Sequence, residues 1–158
     1  MRGRFAPVRV EERPDSPGGA DVGGTRIVVG YDGSDDAVRA VRWAAAQARA
    51  RNATLEVVHA YDYPYLERLG ADTQRQLRDE AAAVAHDGRR RALDVEPDLD
   101  VVATVTPGGT ASVLVERAAD AELLVVGHQG ANPGHHRILG STATRCVQHA
   151  ACSVVVVR

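Results

Sequence analysis

The fold is decided by residues 123–130, which read Leu-Leu-Val-Val-Gly-His-Gln-Gly. The apolar run at the start of this stretch predicts a strand buried on both faces, as is typical of a parallel sheet. The strand ends at Gly127, a second glycine follows at Gly130, and Gly140-Ser141 then opens a helical pattern. Glycines let backbone N–H groups approach an anion, and a helix start adds unpaired N–H groups. The stretch therefore predicts a phosphate-binding loop between a buried strand and a helix.

Two features of this loop have more than one interpretation. The Ser141 hydroxyl either caps the following helix or bonds a phosphate oxygen. Gly127 and Gly130 either bring the backbone close to a phosphate or are turn glycines that contact no ligand. The helix start at Gly140-Ser141 favours the phosphate interpretation, because it lies beside the loop.

The composition is that of one ordinary globular domain. The chain has 158 residues, of which 44% are apolar and 25% charged, and its net charge is -2. This balance gives no reason to expect a nucleic-acid surface, and no apolar run reaches the length of a membrane span. The first residues lack the apolar core of a signal peptide, and two cysteines form no disulfide framework. We therefore expect a cytoplasmic protein without nucleic-acid or membrane partners.

Lysine is missing from the sequence, so all 19 basic residues are arginine. A phosphate loop of the GxxxxGK[ST] type is therefore excluded, and so is Schiff-base chemistry on a lysine. The sequence also lacks a GxGxxG run after the first strand and a GxSxG nucleophile motif. A bound nucleotide has to be held by backbone groups, hydroxyls, arginine or a metal ion.

Short apolar runs alternate with helical patterns along the chain. This order predicts an α/β fold, a single doubly wound domain at 25–158 with a parallel sheet and helices on both faces. Residues 1–24 show no periodicity and their charges cancel, so we expect a disordered leader, with a functional arm as the alternative. The predicted strands are Ile27–Tyr31, Thr54–Ala60, Val101–Val105, Leu123–Val126 and Ser153–Val157.

Helix boundaries follow from caps and apolar stripes. Ser34 is the predicted cap of a first helix whose inner face consists of Ala37, Ala40, Val41, Ala44, Ala45 and Ala48. A second helix is predicted from Thr73 to about Leu93, with Arg89–Arg91 serving the helix dipole and solvent. The third and fourth helices are predicted at Ala111–Ala119 and Thr142–Ala150, with Val147 facing the core.

The spacing Gly127-x2-Gly130-x9-Gly140-Ser141 resembles the signature of the universal stress protein family, in its ATP-binding branch. The similarity extends over residues 26–158 and includes the opening 27–34 and the closing 152–157. It implies a Rossmann-like fold of the adenine nucleotide alpha hydrolase type, with strand order 3-2-1-4-5. In that order the chain reverses between strands 1 and 4, where Gly30-Tyr31-Asp32 faces the Gly127 loop, and ligands bind at such reversals.

The resemblance also implies which residues contact the nucleotide. Asp32 matches a residue beside the adenine and ribose, although it also suits the backbone of its own turn. Backbone groups of Val58 and His59 match the adenine edge, and Arg137 matches a phosphate-contacting arginine. The candidate nucleotide-binding residues are Gly30, Tyr31, Asp32, Val58, His59, Gly127, His128, Gln129, Gly130, Ala131, Asn132, Pro133, Arg137, Gly140, Ser141 and Thr142.

The loop departs from the family at 131–133, where Ala-Asn-Pro stands in place of a further basic residue. The loop therefore carries less positive charge near the phosphates, and Pro133 removes one N–H donor. His128, His135 and His136 are interpreted as loop residues near phosphate. No Asp, Cys or further His lies at ligand spacing around the adjacent pair, so no protein metal site is predicted.

The function expected from the resemblance is a regulatory or stress-survival module that binds ATP, with Mg2+ carried on the nucleotide. One alternative is an interaction protein of the same fold that binds nucleotide weakly or not at all. Another is a slow ATPase, or an enzyme of adenylate transfer, and no catalytic residue is assigned. The last strand, Ser153 to Val157, is expected at an open sheet edge, which predicts a homodimer through that strand.

Overall fold

The computed structural model describes residues 24–63, 65–130 and 139–158. Only the last residue of the predicted leader falls within these ranges, so the leader stays a prediction. Within them, five strands alternate with four α-helices and one short 3-10 turn. In chain order these are β1 (Arg26–Gly30), α1 (Asp35–Arg51), β2 (Thr54–Tyr61), the 3-10 turn (Leu66–Arg68), α2 (Ala71–Val95), β3 (Val101–Pro107), α3 (Thr110–Arg117), β4 (Leu123–Gly127), α4 (Ser141–His149) and β5 (Ser153–Val157).

The strands form one parallel sheet in the order β3-β2-β1-β4-β5, which confirms the predicted fold and strand order. β1 lies at the centre, where Val29 is in register with Val57 of β2 and with Val125 of β4. The order of the strands reverses between β1 and β4. The carboxyl ends of these two strands therefore open a crevice.

Two hydrophobic cores lie on opposite faces of the sheet. Ile27 and Val29 of β1 pack with α1 and α2, whereas Val28 packs with α3 and α4. This division follows from the alternation of side chains along a strand. The predicted inner face of α1 is confirmed, since all six of its residues are buried. Ser34 caps this helix as predicted, and its Oγ accepts a hydrogen bond from Ala37 N at 3.3 Å.

The second helix is longer than the sequence predicted. It begins at Ala71, with Gly70 as N-cap, rather than at Thr73, and it ends at Val95 rather than near Leu93. Gly70 begins the helix through its backbone alone, because its carbonyl accepts from Gln74 N at 3.0 Å. Within the described ranges, no helix is long and apolar enough to cross a membrane.

Because α2 continues to Val95, Arg89–Arg91 lie before its last turn, and the prediction that they serve the helix dipole is wrong. Arg90 and Arg91 instead pair with Asp87. Arg89 Nε donates to the Val101 carbonyl at 2.9 Å. The carbonyl of the preceding residue, Asp100, accepts from Leu55 N of β2. Because successive carbonyls of a strand point to opposite sides, the Val101 carbonyl points to the free side of β3. Arg89 thus covers part of the β3 edge.

The third and fourth helices each begin one residue earlier than predicted, at Thr110 and Ser141, and they end earlier, at Arg117 and His149. The prediction that Val147 faces the core is wrong, since this residue is 52% exposed. Ala143 and Cys146 form the buried stripe of α4. Val147 follows Ala143 by one turn, but it lies on the solvent-exposed side of the narrow buried stripe.

A buried ionic network lies at the amino-terminal end of the sheet, beneath α3. The Glu56 side chain on β2 is only 4% exposed, and it pairs with Arg26 of β1 and Arg117 of α3. Thr104 of β3 donates to Glu56 Oε1 at 2.9 Å. Arg26 also donates to the Arg117 carbonyl at 2.9 Å. The network joins three strands to the end of one helix, and it satisfies a carboxylate that burial would otherwise disfavour.

Candidate functional site

A cavity of about 570 Å³ opens at the carboxyl end of the sheet, at the reversal between β1 and β4. It extends from the end of β2, across β1, to the loop after β4 and the start of α4. The described residues that line it are Gly30, Tyr31, Asp32, Ala37, His59, Ala60, Thr110, Leu114, Val126, Gly127, His128, Gln129, Gly130, Leu139, Gly140, Ser141, Thr142 and Ala143. Eleven of the candidate residues therefore line one cavity.

Gly127 permits α1 to approach the end of β4. A Cβ at this position would lie 2.9 Å from the backbone carbonyl carbon of Asp36 and 3.1 Å from Ala37 N. The approach is fixed by a hydrogen bond, in which Gln129 N donates to Asp36 Oδ2 at 2.9 Å. The glycine therefore has a packing role between strand and helix in addition to any role toward a ligand.

Gly130 lies in a more open environment. Among the described residues, a Cβ at this position would meet one atom, Asp32 Oδ2, at 2.9 Å. Asp32 Oδ1 accepts from Ser34 N at 3.0 Å, so this carboxylate does support the backbone of its own turn. Because Asp32 also lines the cavity, both roles weighed from the sequence fit its position.

The start of α4 has no side-chain cap. Gly140 is the N-cap residue and makes no side-chain cap bond, so the cap interpretation of Ser141 is wrong. Ser141 is instead the first helical residue, and both Ser141 and Thr142 line the cavity. The first turn of α4 carries no acidic residue, whereas that of α1 carries Asp35 and Asp36. Of these two helices, α4 is therefore the one whose positive end is left to attract an anion.

His128 connects the loop after β4 to β5 and to the start of α4 by hydrogen bonds. His128 N donates to the Val157 carbonyl at 2.7 Å, and the His128 carbonyl accepts from Gly140 N at 2.9 Å. Its buried ring lies with Nε2 3.2 Å from Arg158 Nη2. These bonds hold the loop after β4 against β5 and against the start of α4.

Tyr31 continues from β1 and divides its backbone and side chain between two environments. Its N–H donates to the Val58 carbonyl at 2.9 Å, and its hydroxyl donates to Asp87 of α2. Burial first, and then this hydrogen bond, raise the pKa of Tyr31 to about 12. The same hydrogen bond is the largest cause that lowers the pKa of Asp87. The Tyr31 side chain therefore anchors α2.

The two candidate residues on β2 have different positions. Val58 is 1% exposed, does not line the cavity, and its carbonyl is already occupied by Tyr31 N. His59 does line the cavity, and its Nδ1 lies 2.8 Å from the Tyr31 carbonyl. The structure thus brings His59, rather than Val58, to the site.

A second groove of about 660 Å³ adjoins the cavity and shares Asp32, His128, Gln129 and Gly130 with it. It contributes two basic side chains, Arg39 and Arg158, beside the start of α1. Arg39 is paired with Asp36. Among the described residues that line the main cavity there is no arginine, so these two are the basic groups described beside the loop.

Residues 24–158 match the model of the family described as "Universal stress protein family". The chain belongs to this family. The resemblance found in the glycine spacing is thereby confirmed.

Named relatives agree with the family match. The chain is 34% identical over 142 residues to the universal stress protein Rv2623 of Mycobacterium tuberculosis, covering 83% of this chain and 46% of that protein. It is 33% identical over 134 residues to a universal stress protein of Thermus aquaticus, covering 84% of this chain and 97% of that protein. The chain spans about half the length of the mycobacterial relatives it matches.

Solved universal stress proteins share the fold. One crystal structure, of a universal stress protein in complex with cAMP, has a TM-score of 0.64 at 30% identity and covers 85% of this chain and 97% of that chain. The universal stress protein UspA from Lactobacillus plantarum has a TM-score of 0.67 at 28% identity, with the same coverage.

Several sequence predictions for this universal stress protein lie outside the described residues. These are the roles of Ala131, Asn132, Pro133 and Arg137 toward phosphate, and the interpretation of His135 and His136 as loop residues. Within the described ranges, no group of three or more His, Cys, Asp or Glu side chains is arranged to hold a metal ion.

The structure also adds residues that sequence reasoning missed. Asp36, in the first turn of α1, accepts a hydrogen bond from the loop after β4. Thr110 and Leu114 of α3, together with Leu139 before α4, line the cavity. A signal for Thr110 existed, because it follows Pro107-Gly108-Gly109 at the carboxyl end of β3, the same edge as the other site residues.

Proposed function

We propose that this universal stress protein binds an adenine nucleotide, ATP, in the cavity between β1 and β4. The observation that carries the proposal is the uncapped start of α4 beside Gly127–Gly130 at the strand reversal. Backbone N–H groups at a helix start favour an anion, and the acid-free first turn of α4 leaves its dipole uncompensated. The cAMP bound by a 30% identical universal stress protein supports an adenine nucleotide as the ligand class.

The cavity gives the nucleotide a direction. With neighbouring strands about 4.8 Å apart, the end of β2 lies roughly 10 Å from the loop after β4. A ligand whose phosphates lie at the start of α4 therefore places its base near His59 and Ala60. Asp32 lies between these ends and suits ribose hydroxyls, since a carboxylate accepts hydrogen bonds.

Mg2+ fits this proposal as an ion carried by the triphosphate. Mg2+ is usually held by one or two carboxylates together with substrate phosphates and water. The cavity supplies one described carboxylate, Asp32, together with the hydroxyls of Ser141 and Thr142. These groups suit contact with a nucleotide-bound ion rather than a separate protein metal site.

The role that we propose is regulation or stress survival in the cytoplasm, with nucleotide occupancy as the signal. The interaction protein without nucleotide and the slow ATPase remain the alternatives. Thermal unfolding of ligand-free protein with ATP and Mg2+ separates the first of these. At about 100 times Kd the ligand should stabilise the fold by roughly 2.7 kcal/mol, whereas NAD should have little effect. No shift at millimolar ATP would favour the interaction protein.

The proposed phosphate contact of Arg137 has its own test. Arg137→Ala should weaken ATP binding more than adenosine binding, because a guanidinium acts on the phosphates and not on the nucleoside. Arg145→Ala is the matched control, since Arg145 is an exposed residue of α4 that does not line the cavity. Equal losses for ATP and adenosine in Arg137→Ala would contradict the phosphate contact. Phosphate release measured with the wild type tests the ATPase alternative.

We also propose a homodimer in which the β5 strands of two copies pair. β5 is bonded to β4 on one side, and its outer side belongs to a sheet edge with four consecutive valines. Such an edge is suited to pairing with another strand. The Val157 carbonyl accepts from His128 N, so the outward backbone groups of β5 are those of Val154 and Val156. Val156→Pro should therefore weaken the dimer by removing an outward N–H donor, whereas Val156→Thr keeps the β-branched shape. Circular dichroism must first show that both variants are folded. A monomeric wild type in sedimentation at tens of micromolar would exclude this dimer.

A further inference from the structure

We infer that Asp36 is a positioning residue for the phosphates of the bound nucleotide, because its carboxylate fixes the loop after β4 from the side of α1. The inference rests on the proposed nucleotide binding and names the group that holds its phosphate loop in place. Asp36 Oδ2 accepts a hydrogen bond from Gln129 N at 2.9 Å. Asp36 is not among the described residues that line the main cavity, whereas Gln129 is. The carboxylate therefore acts on a ligand through the loop.

Both oxygens of this carboxylate have partners. Oδ2 accepts from the loop, and Oδ1 pairs with Arg39 one turn along α1. The side chain is only 18% exposed. Gly127 permits its close approach to the end of β4, since a Cβ on Gly127 would lie 2.9 Å from the Asp36 Cβ. A hydrogen bond to an ionised acceptor is stronger than one between neutral groups, so the bond to Gln129 N is suited to fixing a loop.

Two other elements hold the residue before Gln129. His128 N donates to the Val157 carbonyl of β5 at 2.7 Å, and the His128 carbonyl accepts from Gly140 N at 2.9 Å. Residues 128 and 129 are therefore fixed by β5, by the start of α4 and by α1 together. Of these three bonds, the one to Asp36 uses a side chain, so a single substitution can remove it.

These bonds decide which N–H groups are left for phosphate. Three are committed within the protein, those of residues 128, 129 and 140. The first bond within α4 is accepted by the Gly140 carbonyl from Thr144 N, so the N–H groups of residues 141–143 have no acceptor inside the helix. Phosphate contacts therefore fall to the first turn of α4 and to Gly130 across from it. Asp36 fixes the spacing of these two parts, because it holds the residue that precedes Gly130.

Loss of the Asp36 carboxylate should therefore weaken binding of the phosphates and not of the nucleoside. A loop that is fixed before binding loses little conformational freedom when the ligand arrives, and this raises affinity. Adenosine carries no phosphate, so its affinity should not depend on how the loop is held.

The test measures Kd values by calorimetry for ATP with Mg2+ and for adenosine, with wild type, Asp36→Ala and Asp36→Asn. In Asp36→Ala the Kd of ATP should rise about tenfold, as expected for one lost hydrogen bond to a charged group, while that of adenosine changes by less than about twofold. Asparagine keeps an acceptor oxygen for Gln129 N without the charge. Asp36→Asn should therefore restore ATP binding to within about threefold of wild type.

Asp35→Ala is the matched control, because Asp35 is also an acid in the first turn of α1 but is exposed. It loses the same interaction with the helix dipole and should keep the wild-type affinities. Thermal unfolding without ligand verifies that every variant is folded at the temperature of the titration.

Three results would overturn the inference: an unchanged Kd of ATP in Asp36→Ala, equal losses for ATP and adenosine, or Asp36→Asn as weak as Asp36→Ala. Each would leave the proposed function intact, since the wild type would still bind ATP. Failure of the wild type to bind ATP would instead refute the proposed function and the inference with it.

Discussion

The two ends of the sheet treat charge in opposite ways. At the amino-terminal end, the buried Glu56 carboxylate is surrounded by two arginines and a threonine hydroxyl, so its charge is balanced within the protein. At the carboxyl-terminal end, the start of α4 has neither a cap nor an acid in its first turn. The Glu56 carboxylate at the first end is therefore satisfied within the protein, whereas the second end leaves helix-dipole charge for a ligand to balance.

This difference indicates which residues to change for stability and which for binding. We call the amino-terminal end of the sheet, with its ion pairs, the closed end, and the carboxyl-terminal end, with the cavity, the open end. A substitution at the closed end should change the free energy of unfolding and leave ligand affinity unchanged. A residue at the open end should do the reverse, unless it also packs a helix onto the sheet. Four predictions, which use substitutions and changes of pH, test this separation.

The largest effect is expected at Glu56. Glu56→Gln keeps the shape of the side chain but removes the buried carboxylate that pairs with Arg26 and Arg117, of which Arg26 also pairs with Asp120. Removing one partner of a buried ion pair is strongly destabilising, so we expect a loss of about 3 kcal/mol in urea unfolding, with unchanged ATP affinity. Glu116→Gln, at an exposed site on α3, is the control and should change little. A loss of ATP affinity in folded Glu56→Gln would show that the two ends are coupled.

Substitutions of the two glycines at the open end, Gly127 and Gly130, should have different effects on stability. In Gly127→Ala the new Cβ would press on the backbone of Asp36 and Ala37, so we expect a loss of about 2 kcal/mol in stability. Among the described residues, the Cβ in Gly130→Ala meets only the Asp32 carboxylate, which can rotate, so stability should fall by less than about 0.5 kcal/mol. ATP affinity should nevertheless fall in Gly130→Ala. Equal stability losses in the two variants would remove the distinction between packing and binding glycines.

Tyr31 lies at the open end, but its side chain is bonded within the protein, to Asp87. The pH dependence of stability tests this role. Its folded pKa of about 12 lies above the unfolded value of 10.0. Between these values the unfolded chain has released the proton while the folded protein keeps it, so stability should fall as pH rises from 10 to 12. We expect a loss on the order of 1 kcal/mol, absent in Tyr31→Phe, from denaturation at each pH.

A second group titrates close to this range. Burial is the main cause that raises the pKa of Cys146 from 9.0 to about 11. Its loss of stability between pH 9 and 11 should persist in Tyr31→Phe, which makes that variant an internal control. A Tyr31→Phe curve identical to wild type from pH 10 to 12 would contradict the assignment.

The smallest effect distinguishes two serines at helix starts. Ser34 caps α1 through its hydroxyl, whereas Ser141 follows the cap residue of α4. Ser34→Ala should lower stability by about 0.5–1 kcal/mol, and Ser141→Ala should leave stability almost unchanged while weakening ATP. Thermal unfolding with and without ATP measures both. A larger stability loss in Ser141→Ala than in Ser34→Ala would be inconsistent with the cap assignment.

The sequence predicted the features that depend on local patterns. The alternation of apolar runs with helical stripes specifies a parallel sheet with helices on both faces, and the glycine spacing brings Gly127, Gly130 and Gly140 to one cavity. Strand order came from the family resemblance, because alternation alone leaves several orders open. These features succeed since each depends on residues close together in the chain.

The features that the sequence missed depend on contacts between distant elements. Arg26 and Arg117 are 91 residues apart, and neither reveals that Glu56 will lie between them. The tautomer of His59 cannot be deduced from the sequence, because it depends on the Tyr31 carbonyl, which follows a different strand. The triple arginine of α2 was misinterpreted for the same reason, since its acceptors are Asp87 and a carbonyl of another element.

The two outer strands of the sheet differ in what lies along their free edges, which bears on the proposed pairing of two copies. On β3, Arg89 occupies the outward carbonyl of Val101, and Pro107 ends the strand without an N–H donor. β5 contains no proline, and no described arginine side chain bonds its outward carbonyls. Among the described strands, one edge is therefore obstructed and the other is open. A subunit with a single open edge can join one other copy, after which no open edge is left. Growth into a filament would require β3 to lose both obstructions, the Arg89 side chain and Pro107.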